Sequence, residues 1–544
     1  MSTHPKGSGA RVLLSSVFGP YAQDDDFGSR SINPMELYHN QVTRMQKQFS
    51  IRMFHRSWGL MMIQRNIQAS STLLDFPTRE QFAEELRREK YDIVGISGII
   101  VNVGKVREMC RMVREFSPGS TIVVGGHVAA IPGVEKMLDA DHIVKGEGIA
   151  WMRQFLGEPC DAPIHHPDIV SGFGHRIMGI KLPSMFREPA ATLIPSVGCP
   201  MGCNFCTTSS FFGGKGKFHN FFETGDELYE VMCGIEERLK VQSFFIMDEN
   251  FLLQRRRALE LLRRMEEGGK SWDLYVFSSA NAIRKYTMDE LVRLGVAWMW
   301  LGLESPQSGY AKLSGSDTKT LCRELQQNGI KLLGSTIIGM EHHTPENIQE
   351  EIDYAISHGT DFHQFMLYTP VPGTPLYQQI KSEGRLLDVD LADIHGQHKF
   401  NFQHPAISRD ASKEYLDHAF QRDFDVNGPS LFRICKTTLE GWRRHRNHPD
   451  PRVRQRFERE LGVLRHAWTG LLWAMERQLR SSNESVSRMV RDLRTDIVHE
   501  CGGMSSRLAS AVVGPLALWA AKLEELRLEK GVTYEPPMIV ERWN

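Results

Sequence analysis

Two hydrophobic periods alternate along the first part of the chain. Continuous apolar runs at residues 11–17, 91–97, 121–126 and 142–144 are separated by stretches of helical spacing at 79–90 and 106–116. Uninterrupted β-branched and aliphatic runs between helices predict strands buried on both faces, which means a parallel sheet. Ligands of such sheets sit beyond the carboxyl ends of the strands. There the sequence places small residues: Ser97-Gly98, Gly125-Gly126 and Gly146-Glu147-Gly148. Positions without a side chain let backbone approach a bulky ligand closely.

Residues 157–190 change character. Pro159, Pro163, Pro167, Pro183 and Pro189 fall among His and Gly without periodicity, as expected of a linker. A second alternation follows, with strands expected at 192–196, 243–247, 274–278, 297–303, 331–338 and 362–367 and helices between them. Six βα units predict a partial TIM-type barrel. Past residue 405 the strands stop, and 413–423, 430–446, 452–480, 485–499 and 505–530 read as helices. Leu461, Leu464, Trp468, Leu471, Leu472, Met475 and Leu479 form one apolar stripe, expected as bundle core. The arginines between 443 and 456 are expected on a solvated face. The predicted order is a doubly wound α/β domain (1–156), a linker (157–190), a partial (βα)6 barrel (191–404) and an α-helical domain (405–544).

Composition narrows the class. Of 544 residues, 41% are hydrophobic and 24% charged, and Lys+Arg 65 against Asp+Glu 66 leave a net charge of -1. No global field draws this chain to nucleic acid, and no nucleic-acid partner is expected. The apolar run 508–521 is shorter than the about 20 residues that a membrane span needs, so a buried helix and no transmembrane segment are expected. Met1 to Arg11 is polar without an apolar run, so no signal peptide is expected. Nine cysteines are too sparse for a disulfide scaffold. A reduced, cytoplasmic protein is expected, with a peripheral place at a membrane as the alternative.

Three of the nine cysteines lie within eight residues, in Cys199-Pro-Met-Gly-Cys203-Asn-Phe-Cys206. Iron–sulfur clusters are normally held by four thiolates. Three leave one iron with an open position, to which a substrate or cofactor can bind. Structural zinc sites come as paired C-x2-C units or with nearby histidines, and neither accompanies this loop.

The spacing, with Phe205 before the last cysteine and an expected strand before the first, resembles the signature of the radical SAM superfamily. The resemblance covers about residues 190–375, and the barrel pattern agrees with it. It implies a [4Fe-4S] cluster on Cys199, Cys203 and Cys206 and S-adenosylmethionine (SAM) on the open iron. Reduction by an external donor of flavodoxin or ferredoxin type then releases a 5′-deoxyadenosyl radical. It further implies Phe205 near adenine, Glu249 at the methionine amino group, Glu304 at the ribose, and Ser278, Ser305 and Gly339 around the same cofactor. Gly339-Met340-Glu341 departs from the usual spacing at that strand end.

The first domain is similar to the cobalamin-binding domain that precedes many radical SAM barrels. On that resemblance Ser97, Gly98, Gly125, Gly126, His127, Gly146, Glu147 and Gly148 would border cobalamin. The D-x-H-x-x-G segment of B12 domains, whose His ligates cobalt, is absent: residues 18–28 contain no His. Together the resemblances imply a cobalamin-dependent radical SAM enzyme that methylates an unactivated carbon of a small-molecule or lipid-like substrate. A cyclase or other oxidative C–H chemistry is the alternative, and a non-enzymatic cobalamin sensor is the alternative of another class.

Overall fold

The computed structural model describes residues 2–19, 26–27, 44–49, 51–52, 55–171, 176–177, 180–181, 190–304, 317–530 and 537–543. Ser305, the long segment around residues 33–54 and most of the segment 18–28 lie wholly or largely outside them.

The first sheet contains β1 (Val12–Ser16), β2 (Ser71–Asp75), β3 (Ile93–Ser97), β4 (Thr121–Gly125) and β5 (His142–Ile143), in spatial order β2-β1-β3-β4-β5 and all parallel. Both faces are covered. Leu13, Val94, Ile96, Ile122 and Val124 pack with the helices Arg79–Arg88 and Val103–Phe116. Val12, Leu14, Leu73, Ile93 and Val123 pack with the helices Trp58–Arg65 and Gly148–Phe155. This two-sided burial is why the strands read as continuous apolar runs. The order reverses between β1 and β3, the switch point at which doubly wound sheets bind ligands.

The second sheet holds β6 (Ala190–Leu193), β7 (Ser243–Ile246), β8 (Asp273–Ser278), β9 (Val296–Gly302), β10 (Lys331–Ile338) and β11 (Phe362–Leu367), parallel and side by side in chain order. Among the described residues β6 and β11 do not pair, so the barrel is partial. Its edge is extended by Val170–Ser171, antiparallel on β6, so the expected linker contributes a strand. One parity of side chains, including Leu274, Val276, Met299, Leu301 and Leu332, packs under the outer helices. The other parity, including Phe245, Tyr275, Leu333 and Phe362, belongs to a separate cluster shared with the C-terminal helices.

Those helices are Arg409–Asn427, Ser430–His445, Pro451–Val463, Thr469–Leu479, Glu484–Ile497 and Gly503–Glu529. Leu461, Leu464, Leu472, Met475 and Leu479 are buried, as their spacing predicts. Two expectations are overturned. The arginines after residue 450 are not solvated. Arg452 and Arg456 are buried and donate to the carbonyls of Lys270 (3.0 Å) and Val292 (3.2 Å), clamping Pro451–Val463 to the barrel. The run 508–521 is not a buried helix either: Leu508, Val512, Leu516 and Trp519 point outward, and Ala517, Ala520 and Ala521 face the bundle. A further strand, β12 (Ile539–Trp543), pairs antiparallel with β2, where Arg542 meets Glu85 at 2.9 Å.

Arg456 also faces Asp273 (3.5 Å) and Glu460 (3.3 Å). Burial, with Glu460 nearby, pushes the Asp273 carboxyl up against the pull of Arg459 and Arg456. Arg456→Leu removes the cation from this buried group and is expected to cost about 3–5 kcal/mol. Urea denaturation of the two proteins measures it.

Candidate functional site

The three cysteines lie on the loop after β6, framed by the short antiparallel pair Ser196–Val197 and His219–Asn220. Two glycines make the loop possible. Gly198 (φ +89°) and Gly202 (φ +69°) adopt left-handed backbone, and a Cβ on Gly202 would stand 2.5 Å from the Cβ of Lys215. The Ser209 hydroxyl donates to the Cys199 carbonyl at 2.8 Å, and the Cys206 N–H donates to the Cys203 carbonyl at 3.1 Å. Cys206 caps the helix Thr207–Phe211, its sulfur accepting the Ser209 N–H at 3.5 Å. All three thiols are reduced and partly buried. Burial pushes the Cys199 thiol up to about 11, and Cys206, Cys203 and Glu249 add to the rise. Thiolates need a positive neighbour, and a cationic iron–sulfur cluster bound by this donor set supplies one.

Glu249 follows β7 and reaches this loop from fifty residues away in sequence. It accepts the Gly198 N–H, while its Oε2 is buried without a hydrogen-bond partner. Burial, with Asp248 next to it, raises its carboxyl to about 8. A ligand ammonium beside it would satisfy the buried oxygen and restore the charge, so the position fits an amino-acid-bearing cofactor. Asp248 has a different task. It accepts from Ser196 Oγ (2.7 Å) and the Asn250 N–H (3.0 Å) and pairs with buried Arg257. Ser278 donates to Asn250 Oδ1 at 3.2 Å, and the Asn250 amide donates to Ser279 at 3.2 Å. The ends of β7 and β8 are thus locked together. Ser278 is part of that lock.

Glu304 is buried just past β9. Gly339, just past β10, has φ +70° and lies against Phe400, whose Cζ a Cβ would meet at 2.4 Å; its N–H donates to His343 Nδ1 at 3.0 Å. Phe205 is partly buried, edge-on to Tyr368 at 6.5 Å. Cys199, Cys203, Cys206, Phe205, Glu249, Ser278, Glu304 and Gly339 therefore all gather at the carboxyl ends of the barrel strands or on the loops just beyond them.

The first sheet turns its own carboxyl edge toward the same loop. Gly98 follows β3 and Gly126 follows the parallel β4, and their loops touch: the Gly98 N–H donates to the Gly125 carbonyl at 3.2 Å, and a Cβ on Gly126 (φ +78°) would stand 2.5 Å from the Gly98 oxygen. A Cβ on Gly125 would meet nothing within 4 Å, and one on Gly146 only the Phe211 carbonyl at 4.0 Å. Open space over bare backbone beyond β4 and β5 fits a broad, flat cofactor. His127 lies with its ring 4.8 Å from that of Phe211, which ends the cysteine-loop helix. Its Nε2 is buried without a partner, and burial lowers its pKa to about 4. Ser97 ends β3 beside Gly126. Glu147 and Gly148 do other work. The Glu147 carboxylate caps its helix, accepting from Ile149 (2.5 Å) and Ala150 (2.8 Å), and Gly148 makes room for Ile63.

Sequence reading did not single out Phe211, and it marked Asp248, Asn250 and Gly373 only as parts of strand-end segments. Gly373 (φ +89°) joins the domains, with Ala130 Cβ 2.8 Å from where its own would lie. Asp248 and Asn250 flank Glu249, so the strand-end signal was visible while the division of roles was not.

A carboxyl that titrates near 8 in the fold and near 4.5 in the unfolded chain favours folding while protonated. That contribution is complete below about pH 4.5 and is lost as pH rises toward 8. Without SAM, Glu249→Gln is expected to match the wild type at pH 5 and to melt at a higher temperature at pH 8.5. Thermal denaturation at the two pH values checks this.

Comparison with known proteins agrees with this geometry. The family model described as the radical SAM superfamily matches residues 193–355, and that of the B12 binding domain matches 50–156. The bacteriochlorophyllide d C-12(1)-methyltransferase of Chlorobaculum tepidum is 28% identical over 37% of this chain and 45% of its own length. The hopanoid C-2 methylase of Rhodopseudomonas palustris is 23% identical, over 61% and 63%. The anaerobic magnesium-protoporphyrin IX monomethyl ester cyclase of Rubrivivax gelatinosus is also 23% identical, over 61% and 65%. The chain thus spans less than two thirds of each of these relatives. In fold it resembles the radical SAM methyltransferase TsrM of Kitasatospora setae, solved with cobalamin and a [4Fe-4S] cluster (TM-score 0.53, 15% identity, 84% of this chain and 99% of that one). The chain therefore carries a B12-binding domain followed by a radical SAM domain, whose cofactors are cobalamin and a [4Fe-4S] cluster with SAM.

Proposed function

We propose that the chain is a cobalamin-dependent radical SAM methyltransferase acting on an unactivated carbon of a small-molecule or lipid-like substrate. The observation that carries this reading is the meeting of the two domains at one place, with His127 over Phe211 and Gly373 against Ala130. A cofactor on the first sheet's edge and another at the cysteine loop would then face a common space. When bound, SAM with the cluster supplies a hydrogen-abstracting 5′-deoxyadenosyl group, and cobalamin supplies the methyl.

The protein's residues take these parts. Cys199, Cys203 and Cys206 hold the cluster, Glu249 receives the amino group of SAM, and Glu304 accepts from its ribose hydroxyls. Phe205 borders the adenine, and Gly339 lines the same cofactor. Ser278 acts through Asn250 as a positioning residue. Gly98, Gly125, Gly126 and Gly146 give cobalamin bare backbone, with Ser97 and His127 at its rim. Glu147 and Gly148 hold the helix behind it. The one-electron donor is a small redox protein of flavodoxin or ferredoxin type, and the balanced net charge of the chain supports a partner other than nucleic acid. Residues that exclude water protect the radical. The kinship with a cyclase keeps oxidative chemistry as the second reading.

The reading of a cytoplasmic protein that rests on a membrane draws on the helix Gly503–Glu529. No helix among the described residues is long and apolar enough to cross a membrane. This helix nevertheless exposes Met504 (81%), Leu508, Val512, Leu516, Trp519 (63%), Leu523 and Leu526. At 100° per residue these seven span an arc of roughly 120°, bordered by the exposed cations Arg507 and Lys522. Apolar faces with flanking cations and Trp suit an anionic lipid surface.

Two measurements test these readings. Anaerobically reconstituted protein with reductant should release 5′-deoxyadenosine, and Cys203→Ala should abolish it; a variant that keeps full function leaves only a non-enzymatic sensor. Product mass then separates a gain of one CH2 unit from loss of hydrogen. In sedimentation with phosphatidylcholine–phosphatidylglycerol vesicles, the wild type should pellet and Leu516→Glu/Trp519→Glu should stay in solution.

A further inference from the structure

Barrel interiors of the TIM type are normally filled by Val, Ile and Leu. This one is lined by aromatic rings. By strand register Phe245, Tyr275 and Trp298 are neighbours, as are Phe277 with Trp300 and Leu333 with Phe362, all of one parity. Phe277 stacks on Trp300 at 4.9 Å (28°), Trp298 on Phe362 at 5.6 Å (23°), and Tyr275 lies 5.9 Å from Phe277 at 9°. The first domain adds Trp58 and His55, whose imidazole lies 6.0 Å from Phe245, nearly parallel to it.

Burial changes along this lumen. In the lower part of the barrel Phe245, Tyr275, Leu333 and Phe362 are buried, with Trp298 partly exposed beside them. That end is sealed by the helix Pro451–Val463, through Arg459 on Asp273 (2.9 Å) and Glu460 on Lys331. Toward the strand ends the inward residues Phe277, Trp300, Ser335, Ile337 and Met366 stay partly exposed, whereas their outward neighbours Val276, Leu301, Thr336 and Leu367 are buried. Rings surrounded by a barrel wall yet still open to solvent line a pocket. It is closed below and opens onto the cysteine loop, Glu249 and Glu304. Beside Phe245, His55 Nδ1 is buried without a hydrogen-bond partner.

From this geometry we infer that the aromatic lumen is the substrate pocket and that the substrate is a flat, largely apolar ring system stacked against Phe277 and Trp300. The inference rests on the proposed radical chemistry only for the word substrate. Offset ring faces reward planar π surfaces, and a flexible acyl chain gains nothing from their orientation.

Protoporphyrin IX is the planar probe and oleate the flexible one. The full chain, with cluster and cobalamin, is titrated with protoporphyrin IX under anaerobic conditions and followed by quenching of tryptophan fluorescence. Saturable binding at one probe per chain is expected, undisplaced by oleate and retained in saturating SAM. Phe277→Leu and Trp300→Leu should each weaken it at least tenfold, and Trp300→Phe, which keeps a ring face, should restore most of it. Displacement by oleate, displacement by SAM, equal binding in the leucine variants or no saturable binding would each overturn the inference. The titration needs no SAM cleavage. A chain that releases 5′-deoxyadenosine but ignores the probe loses this pocket alone, and one that binds the probe but never cleaves SAM loses the radical chemistry alone.

Discussion

Three thiols and a carboxyl crowd one pocket, where burial and neighbouring acidic groups leave Cys199 and Glu249 short of positive charge. Everything at the barrel mouth follows from that electrostatic deficit. Cys199 and Glu249 both titrate above their ordinary range because ionising either would place charge where solvent is scarce. Such a pocket is held apart by its neighbours. Asp248 spends its charge on Arg257, and Asn250 fastens β7 to β8 through Ser278 and Ser279. Asp248, Arg257, Asn250, Ser278 and Ser279 bond one another, which leaves Glu249 Oε2 for a cationic ligand.

The two ends of the barrel are built on opposite terms. At the strand starts, charges are buried and matched: Arg456, Arg459, Asp273, Glu460 and Lys331 form one network between the wall and a C-terminal helix. At the strand ends, Glu249 Oε2 is buried without a hydrogen-bond partner. A matched network contributes rigidity more than affinity, which suits a floor. The unmatched end is the reactive one, and the first domain closes over it through Phe211 and Gly373.

Much of this was legible in the chain. Continuous apolar runs and a three-cysteine loop announced two α/β units and the cluster, because burial on both faces and thiolate ligation impose local patterns. What escaped depends on distant partners. β2 hides Ser71, Thr72 and Asp75 in a buried strand, so it does not read as an apolar run. The arginines at 452 and 456 look like a solvated face until carbonyls of the barrel are seen to receive them. Residues 508–521 look like core, since sequence cannot say that small alanines would be chosen for the inner side of that helix. Glu147 reads as a ligand contact and proves to be a cap.

The strand Ile539–Trp543 lies on β2, at the far edge of a sheet whose first strand begins at Val12. Its pairing spans nearly the whole chain, so the first sheet emerges from the ribosome with one border bare and acquires that border only after both later domains have been made. Strand borders left open invite foreign pairing. Assembly of this protein is therefore circular: the unit translated first is the last to be completed.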